Sequence, residues 1–484
     1  MRILLLNPPF FPKFSRSQRS PAVIKSGTLY YPLWLAYATG VLEAAGHQVR
    51  LLDAPGEGLD LEIVKGIAEA FGPRLIVLDT STPSIFSDLN VAAELKRLLP
   101  QAFVTLVGSH VSAEAEATLA AGEAADAVAR QEYDYTLRDL AAALEEGRGL
   151  ETVEGLSFRR GKDIVHNPER PKIEDLDALP FVSQVYARHL QIENYFYSIT
   201  RYPEVTIVTG RGCPHRCFYC VYPQTMFGRR FRHRSPENVL EELRYIKETF
   251  PQVREIFIED DTLTVSEPYC RKVCRLIIDA GLDVVWSANS RADVNQETLR
   301  LMKAAGCRLL CIGVESGNQH ILDNIRKKLT LEQVEQFVAA ARKVGILVHA
   351  CFMVGNPGET RRTMENTLAF AKRLRPDTAQ FFPLMVYPGT EAYTWASGNN
   401  FLTTRDFSKW VTPEGLHNCV LSTPELSAQE LVDFCDHARR SFYLRTAYVS
   451  SKLAQIVRRP EEAGRILRSA RIFFKYLVKG SKPA

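Results

Sequence analysis

Short apolar runs, each ending in a small polar cluster and separated by segments of helical period, occur in two successive series along this chain. In the first series, residues 2–6, 47–52, 75–78 and 103–107 read as strands, and residues 33–45, 61–71 and 89–98 read as helices. Such a βαβα order satisfies its backbone as a parallel sheet covered by helices on both faces. Residues 1–145 are therefore expected to form a doubly wound, Rossmann-like α/β domain. Ligands of such sheets bind at the carboxyl ends of the strands. Those ends carry Asn7-Pro8-Pro9, Asp53-Ala54-Pro55, Thr80-Ser81-Thr82-Pro83 and Gly108-Ser109-His110. No GxGxxG follows the first strand, so a dinucleotide site is not supported.

The second series has candidate strands at 205–209, 255–259, 284–288, 309–314, 348–354 and 379–386, with helical spacing at 237–250, 270–280 and 331–344. Six strand–helix units over residues 201–400 predict a partial (β/α)6 barrel, whose chemistry sits at the strand C-termini. Residues 146–200 read as a linker with a short hairpin around Arg160-Gly161-Lys162. Residues 401–484 lose the alternation and read as a helical C-terminal region.

Directly after the first barrel strand stands Gly212-Cys213-Pro214-His215-Arg216-Cys217-Phe218-Tyr219-Cys220. Three thiolates on one short loop can hold three irons of a 4Fe-4S cluster and leave the fourth iron open to a ligand. A structural zinc site with His215 as fourth ligand is the competing reading. The other seven cysteines are scattered and are expected mostly to act as small core hydrophobes.

The CxxxCxxC spacing, with Tyr219 before the last cysteine, resembles the radical S-adenosylmethionine (SAM) superfamily. The resemblance implies that Cys213, Cys217 and Cys220 ligate the cluster. It places Glu259, Asp260 and Asp261 where relatives bind SAM's amino group, and Ser287, Asn289, Ser290 and Arg291 near its ribose and carboxylate. Glu315-Ser316-Gly317 resembles the family's GxESG segment. Gly355-Asn356-Pro357-Gly358-Glu359 resembles its GxPGE segment, whose glycines admit an adenine. The front domain, through LLLNPP at residues 4–9, residues 32–47 and VGSHVS at 107–112, resembles the cobalamin-binding domain fused to many of these enzymes. Asn7, Ser81 and Gly108 are then the expected contacts. No DxHxxG is present, His110 is expected to be a loop residue, and the resemblance leaves cobalamin binding open.

Residues 81–88, 177–196, 208–213, 222–225, 314–327 and 441–445 further resemble the HpnJ family of hopanoid-biosynthesis radical SAM proteins. Tyr222 departs from that pattern, where tryptophan is usual. That resemblance implies ring contraction of a sugar on a bacteriohopanepolyol. It also implies a lipid-like small-molecule substrate and a reductase such as flavodoxin or ferredoxin. Tyr195, Phe196, Trp286, Phe381, Phe382 and Tyr387 are candidate walls for such a substrate. A cobalamin-dependent methyltransferase acting on a lipid or natural product, and an iron–sulfur sensor without turnover, stay open beside it.

Charge narrows the partners. Lys plus Arg number 60 against 56 acids, a net of +4. Residues 441–484 alone hold ten Lys/Arg and two Glu, a local +8 that leaves the first 440 residues at −4. Nucleic acid is therefore not the expected partner. Pro460-Glu461-Glu462 reads as a helix start, followed by an amphipathic basic tail able to rest on anionic lipid or to pack on the barrel. No apolar run approaches the ~18 residues of a membrane span, and the apolar run 3–6 is too short for a signal peptide. A cytoplasmic chain is expected, peripheral to the inner membrane face if the tail binds lipid.

Overall fold

The computed structural model describes residues 1–468, 470 and 471. The first sheet has seven strands: β1 (Arg2–Asn7), β2 (Gln48–Asp53), β3 (Leu75–Asp79), β4 (Phe103–Val107), β5 (Ala127–Ala129), β6 (Leu156–Arg160) and β7 (Asp163–His166). Their order is β2-β1-β3-β4-β5-β6-β7. The first five are parallel, and their apolar runs are buried on both faces by flanking helices. β6 and β7 are antiparallel. The hairpin expected inside a linker thus extends this sheet, with Phe158 opposite Ala127 and Ser157 opposite Val128. The link was hidden because β5 is a three-residue Ala-Val-Ala strand, too short to show a period. The polar hairpin closes the sheet's open edge.

The second sheet contains β8 (Glu204–Ile207), β11 (Glu255–Ile258), β12 (Trp286–Ser290), β13 (Cys307–Glu315), β14 (Leu347–Val354) and β15 (Thr378–Pro383). Its order is β15-β14-β13-β12-β11-β8, all parallel, as an open barrel requires. A separate two-stranded ribbon pairs β9 (Gly210–Arg211) with β10 (Arg232–His233). β12 begins two residues later than the apolar pattern suggests. Gly306, at φ +94°, lets its backbone approach Val284 so closely that a Cβ would lie 1.9 Å from the Val284 carbonyl oxygen. Val284 and Val285 therefore run past this turn, and pairing starts at Trp286.

The domains are joined by buried contacts. The Tyr31 hydroxyl donates to the Glu204 carbonyl at 2.7 Å, and its ring stacks on Tyr195 and Tyr186. Arg211 crosses from the ribbon to Glu132 and Asp134 in the first domain, at 2.9 and 2.7 Å. The short helix Ser109–Ala113, which follows β4, faces helix Val221–Thr225, which follows the cysteine triplet. Gly389 is wedged between Ala113 and Thr225, where a Cβ would meet both at 2.7 Å. The carboxyl edge of the first sheet is thereby turned toward the triplet.

In the C-terminal region, helix Ala428–Tyr443 packs beside β15, and the Tyr443 hydroxyl donates to the Ala379 carbonyl at 2.7 Å. The start of the basic tail is docked. Pro460–Glu462 forms a 3-10 turn whose fully buried Glu462 accepts from Arg201, Arg308 and Arg465. Phe473, Phe474, Lys475, Leu477 and Lys479 of the expected amphipathic stripe lie outside the described residues. Among the described residues no helix is long and apolar enough to cross a membrane.

Candidate cofactor site

The triplet loop is held open by its glycines and by backbone bonds. Gly212 has φ +86°, and a Cβ there would sit 2.3 Å from the Arg230 carbonyl oxygen, so only glycine fits. The Cys213 N–H donates to the Gly228 carbonyl, and the Phe218 N–H to the Ile325 carbonyl, both at 3.3 Å. Cys213 and Cys217 are buried, Cys220 is half-buried, and none is in a disulfide. Burial, with Asp261 next to it, pushes the Cys213 thiol up to about 11 and raises Cys220 as well. Such thiols ionise only with a cationic partner. Among the described residues, the three sulfurs and His215 do not form a group whose donor atoms all lie within 4.8 Å of one another. Three thiols on one short loop, with no fourth cysteine in it, are a donor set that fits an iron–sulfur cluster with one iron left open.

The acidic segment after β11 divides its work. Asp260 is spent on structure: its carboxylate accepts from the Thr209 N–H, the Gly210 N–H and the Thr209 hydroxyl, at 2.6 to 3.1 Å. Glu259 and Asp261 instead face Arg19, which comes from the first domain. Arg19 pairs with Glu259, lies 3.3 Å from Asp261, donates to the Asp260 carbonyl and stacks over the Tyr222 ring. Asp261 Oδ2 is buried with no hydrogen-bond partner among the described residues. An orphaned carboxylate oxygen beside the triplet fits an ammonium such as that of SAM. Asn289 donates to the Asp260 carbonyl at 3.2 Å and lies beside Glu259.

Tyr219 connects the triplet to β13. Its hydroxyl donates to Glu315 at 2.8 Å, and Lys327 Nζ pairs with the same carboxylate at 2.8 Å. Glu315 adopts φ +68°, a left-handed conformation that costs a non-glycine residue energy and is held here by these two partners.

Several expected contacts are engaged elsewhere. Ser287 sits early in β12 and donates to Glu255, because the strand starts late. Ser290 bonds to Thr264. Arg291 has closed its fork on Asp293 and on the Lys327 and Lys328 carbonyls, so it clamps a turn. Ser316 bonds to Thr367 and caps the Asn318 N–H. The left-handed Gly355 packs against Leu431 and Leu421, and Gly358 against Asn324. Glu359 accepts from the Gly355 and Asn356 N–H groups, and burial raises its carboxyl to about 7. These glycines shape a turn and face protein side chains.

At the first sheet's carboxyl edge, Asn7 donates to Asp53 at 2.7 Å and accepts from Arg16 at 2.8 Å. Arg16 continues to Ser84 and Asp88, and Ser81 bonds to Ser84 at 2.7 Å. Asn7 and Ser81 thus belong to a sealed network. Gly108 is demanded by its φ of +122° and by the Thr80 carbonyl, 2.4 Å from where a Cβ would be. His110 is buried in helix Ser109–Ala113 and donates to or accepts from Thr82 at 3.1 Å. Burial lowers it to about 3, so it is neutral. What the edge does offer is Asp79, raised to about 7 by burial, and the buried Tyr133 hydroxyl, which has no partner among the described residues. A carboxyl and a phenol hydroxyl of this kind fit the amide-bearing rim of a corrin.

Of the candidate walls, Tyr195, Trp286 and Phe381 are core, bonded to Asp53, bonded to the Ala305 carbonyl and stacked on Phe352, respectively. Phe196 lies under Arg468. Phe382 is half-buried, and Tyr387 meets Ser20 at 3.0 Å. Arg19 and Lys327 were not singled out from sequence. Lys327 stands inside the segment 314–327, whereas Arg19 is an isolated cation in a polar stretch with no local signal. A groove of about 750 Å³ lies among Arg201, Arg254, Glu255, Arg465 and Arg468, and none of the triplet lines it.

Known proteins agree with this geometry. The radical SAM superfamily model matches residues 207–371, and the B12 binding domain model matches residues 19–141. The uncharacterized methyltransferase PH0819 of Pyrococcus horikoshii is 32% identical over 92% of this chain and 93% of its own. The anaerobic magnesium-protoporphyrin IX monomethyl ester cyclase of Rubrivivax gelatinosus is 27% identical over 86% of this chain and 74% of its own. Among solved structures, the radical SAM methyltransferase TsrM of Kitasatospora setae, with cobalamin and a 4Fe-4S cluster bound, superposes with a TM-score of 0.64. It is 20% identical, over 83% of this chain and 76% of that one.

Proposed function

This chain belongs to the B12-binding radical SAM superfamily, and from that premise we propose that it is a cobalamin-dependent methyltransferase acting on a lipid or natural product. The observation that carries the reading is the facing of the two domains. The carboxyl edge of the B12-binding domain abuts the helix that follows the cysteine triplet, so both cofactors would share one enclosed space. The 32% identical relative bearing a methyltransferase name supports it. When bound, the cluster supplies one electron that cleaves SAM to methionine and a 5′-deoxyadenosyl radical, and cobalamin carries the methyl group.

The residues have separate tasks. Cys213, Cys217 and Cys220 hold the cluster. Glu259 and Asp261 receive SAM's ammonium, with Asn289 beside them. Tyr219, Glu315 and Lys327 fix the floor between triplet and barrel. Asp79 and Tyr133 face cobalamin. The two domains exclude water from the space between them. A flavodoxin- or ferredoxin-type protein supplies the electron.

Arg19 is a competitor for the ammonium site, because it already neutralises Glu259 and Asp261. Arg19→Gln is expected to tighten SAM binding several-fold in equilibrium dialysis at pH 8. Unchanged or weaker binding would remove Arg19 from this role.

A second reading, ring contraction of a sugar on a hopanoid, is favoured by residues 81–88, 177–196 and 314–327. Cobalamin binding tests the methyltransferase reading. The purified chain, incubated with hydroxocobalamin and desalted, is expected to keep about one equivalent, read from its visible spectrum. Loss of all cobalamin would overturn the methyltransferase reading.

A further inference from the structure

Inside the barrel, two cysteines and a histidine converge from neighbouring strands. Cys311 lies in the middle of β13, and His349 and Cys351 lie in β14. In the parallel register Cys311 pairs with His349, and Gly313 with Cys351. The side chains of all three therefore leave the same face of the sheet. That face is the lumen, since Cys311 packs with Ile199, Phe257, Leu309 and Leu347, which come from four different segments. One donor atom from each of the three residues lies within 4.8 Å of the other two.

The surroundings hold these donors in place. His349 Nδ1 is bonded to the Thr378 hydroxyl at 2.7 Å, which orients the ring, and Gln380 Oε1 stands 4.0 Å from Cys351 Sγ. Opposite Cys351, Gly313 has no side chain, and a Cβ there would meet Glu315 and Lys327. The Glu315–Lys327 pair therefore fills the space beside Gly313 and borders the trio there. Neither cysteine is in a disulfide, and both are half-buried.

We propose that Cys311, His349 and Cys351 bind one zinc-type divalent cation whose fourth position faces the lumen. Thiolate and imidazole donors select soft or borderline cations over magnesium and calcium. Three protein ligands with an open fourth position are the pattern of a zinc ion that receives a water or a substrate atom. Zinc would bring the donors to roughly 3.5 to 3.8 Å apart, a closure that side-chain rotation supplies. The class of ligand for the open position is a hydroxyl or amine of the substrate. The site uses none of the triplet cysteines, so it stands or falls apart from the radical chemistry.

The test uses the full chain with Cys213→Ala, Cys217→Ala and Cys220→Ala combined, so that no cluster forms. After incubation with zinc and desalting, about one zinc per chain is expected by elemental mass spectrometry. Cobalt(II) in its place should give intense visible bands of tetrahedral thiolate coordination, bleached by zinc. Adding Cys311→Ser and Cys351→Ser should remove both signals. Thr378→Val, which leaves all three ligands, should weaken zinc binding by about 10- to 100-fold. Wild type, with its iron counted separately, serves if the triplet variant does not fold. No retained zinc and no cobalt bands, or bands unchanged by the Cys311→Ser/Cys351→Ser pair, would overturn the site.

Discussion

Cys217→Ala should reduce SAM cleavage by at least about 10³-fold, to the background of reductant alone. The expectation follows from ligand count. Three thiolates are the smallest set that holds three irons and leaves one open, and removing the middle one leaves two. The loop holds no fourth cysteine to replace it, and the other seven cysteines lie in other segments. The buried loop itself should survive: Cys217 contributes a carbonyl to the Cys220 N–H, and alanine keeps that bond. The variant is therefore expected to fold, to bind less iron after anaerobic reconstitution, and to yield no 5′-deoxyadenosine. Wild-type amounts of 5′-deoxyadenosine from it would remove the cluster from this loop.

The second large effect is structural. Arg211 is 1% exposed and pairs with Glu132 and Asp134 across the domain interface, under the rings of Trp34, Tyr37 and Phe227. Arg211→Met should cost about 3–5 kcal/mol, because it strands a buried carboxylate with no cation. Glu132 keeps Arg232, so Asp134 is the group left uncompensated. The denaturation midpoint is best followed by tryptophan fluorescence, since Trp34 lies against the guanidinium. Arg211→Met/Asp134→Asn should recover about half of the loss or more. A double variant as unstable as the single one would mean that the pair did not compensate burial. The interface matters for function because the same contact keeps the B12-binding edge against the triplet.

Much of this architecture was readable from local pattern. Apolar runs buried on both faces, such as Ile3–Leu6 or Leu75–Leu78, announce parallel strands because nothing in them alternates. The triplet was equally legible, since its ligands are adjacent in sequence. What failed was whatever depends on register or on distant partners. Ser287 looked like a strand-end residue until the Gly306 turn delayed β12. Asn7 and Ser81 looked available because Arg16, which seals them, comes from a loop without a pattern. Arg291 looked like a carboxylate clamp, but its fork is matched by two backbone carbonyls and Asp293. Cys311 and Cys351 read as scattered core cysteines, and His349 carried no signal, because only parallel pairing of β13 with β14 brings the three together.

The central claim is that one enclosed space serves both radical generation and methyl transfer. It is tested most directly by counting what becomes of SAM in the reduced, cobalamin-loaded enzyme with a glycosylated bacteriohopanetetrol as the trial lipid substrate. Methyl transfer predicts 5′-deoxyadenosine and S-adenosylhomocysteine in equal amounts, with one methyl added per product. 5′-Deoxyadenosine alongside a consumed but unmethylated substrate, with no S-adenosylhomocysteine, would contradict it.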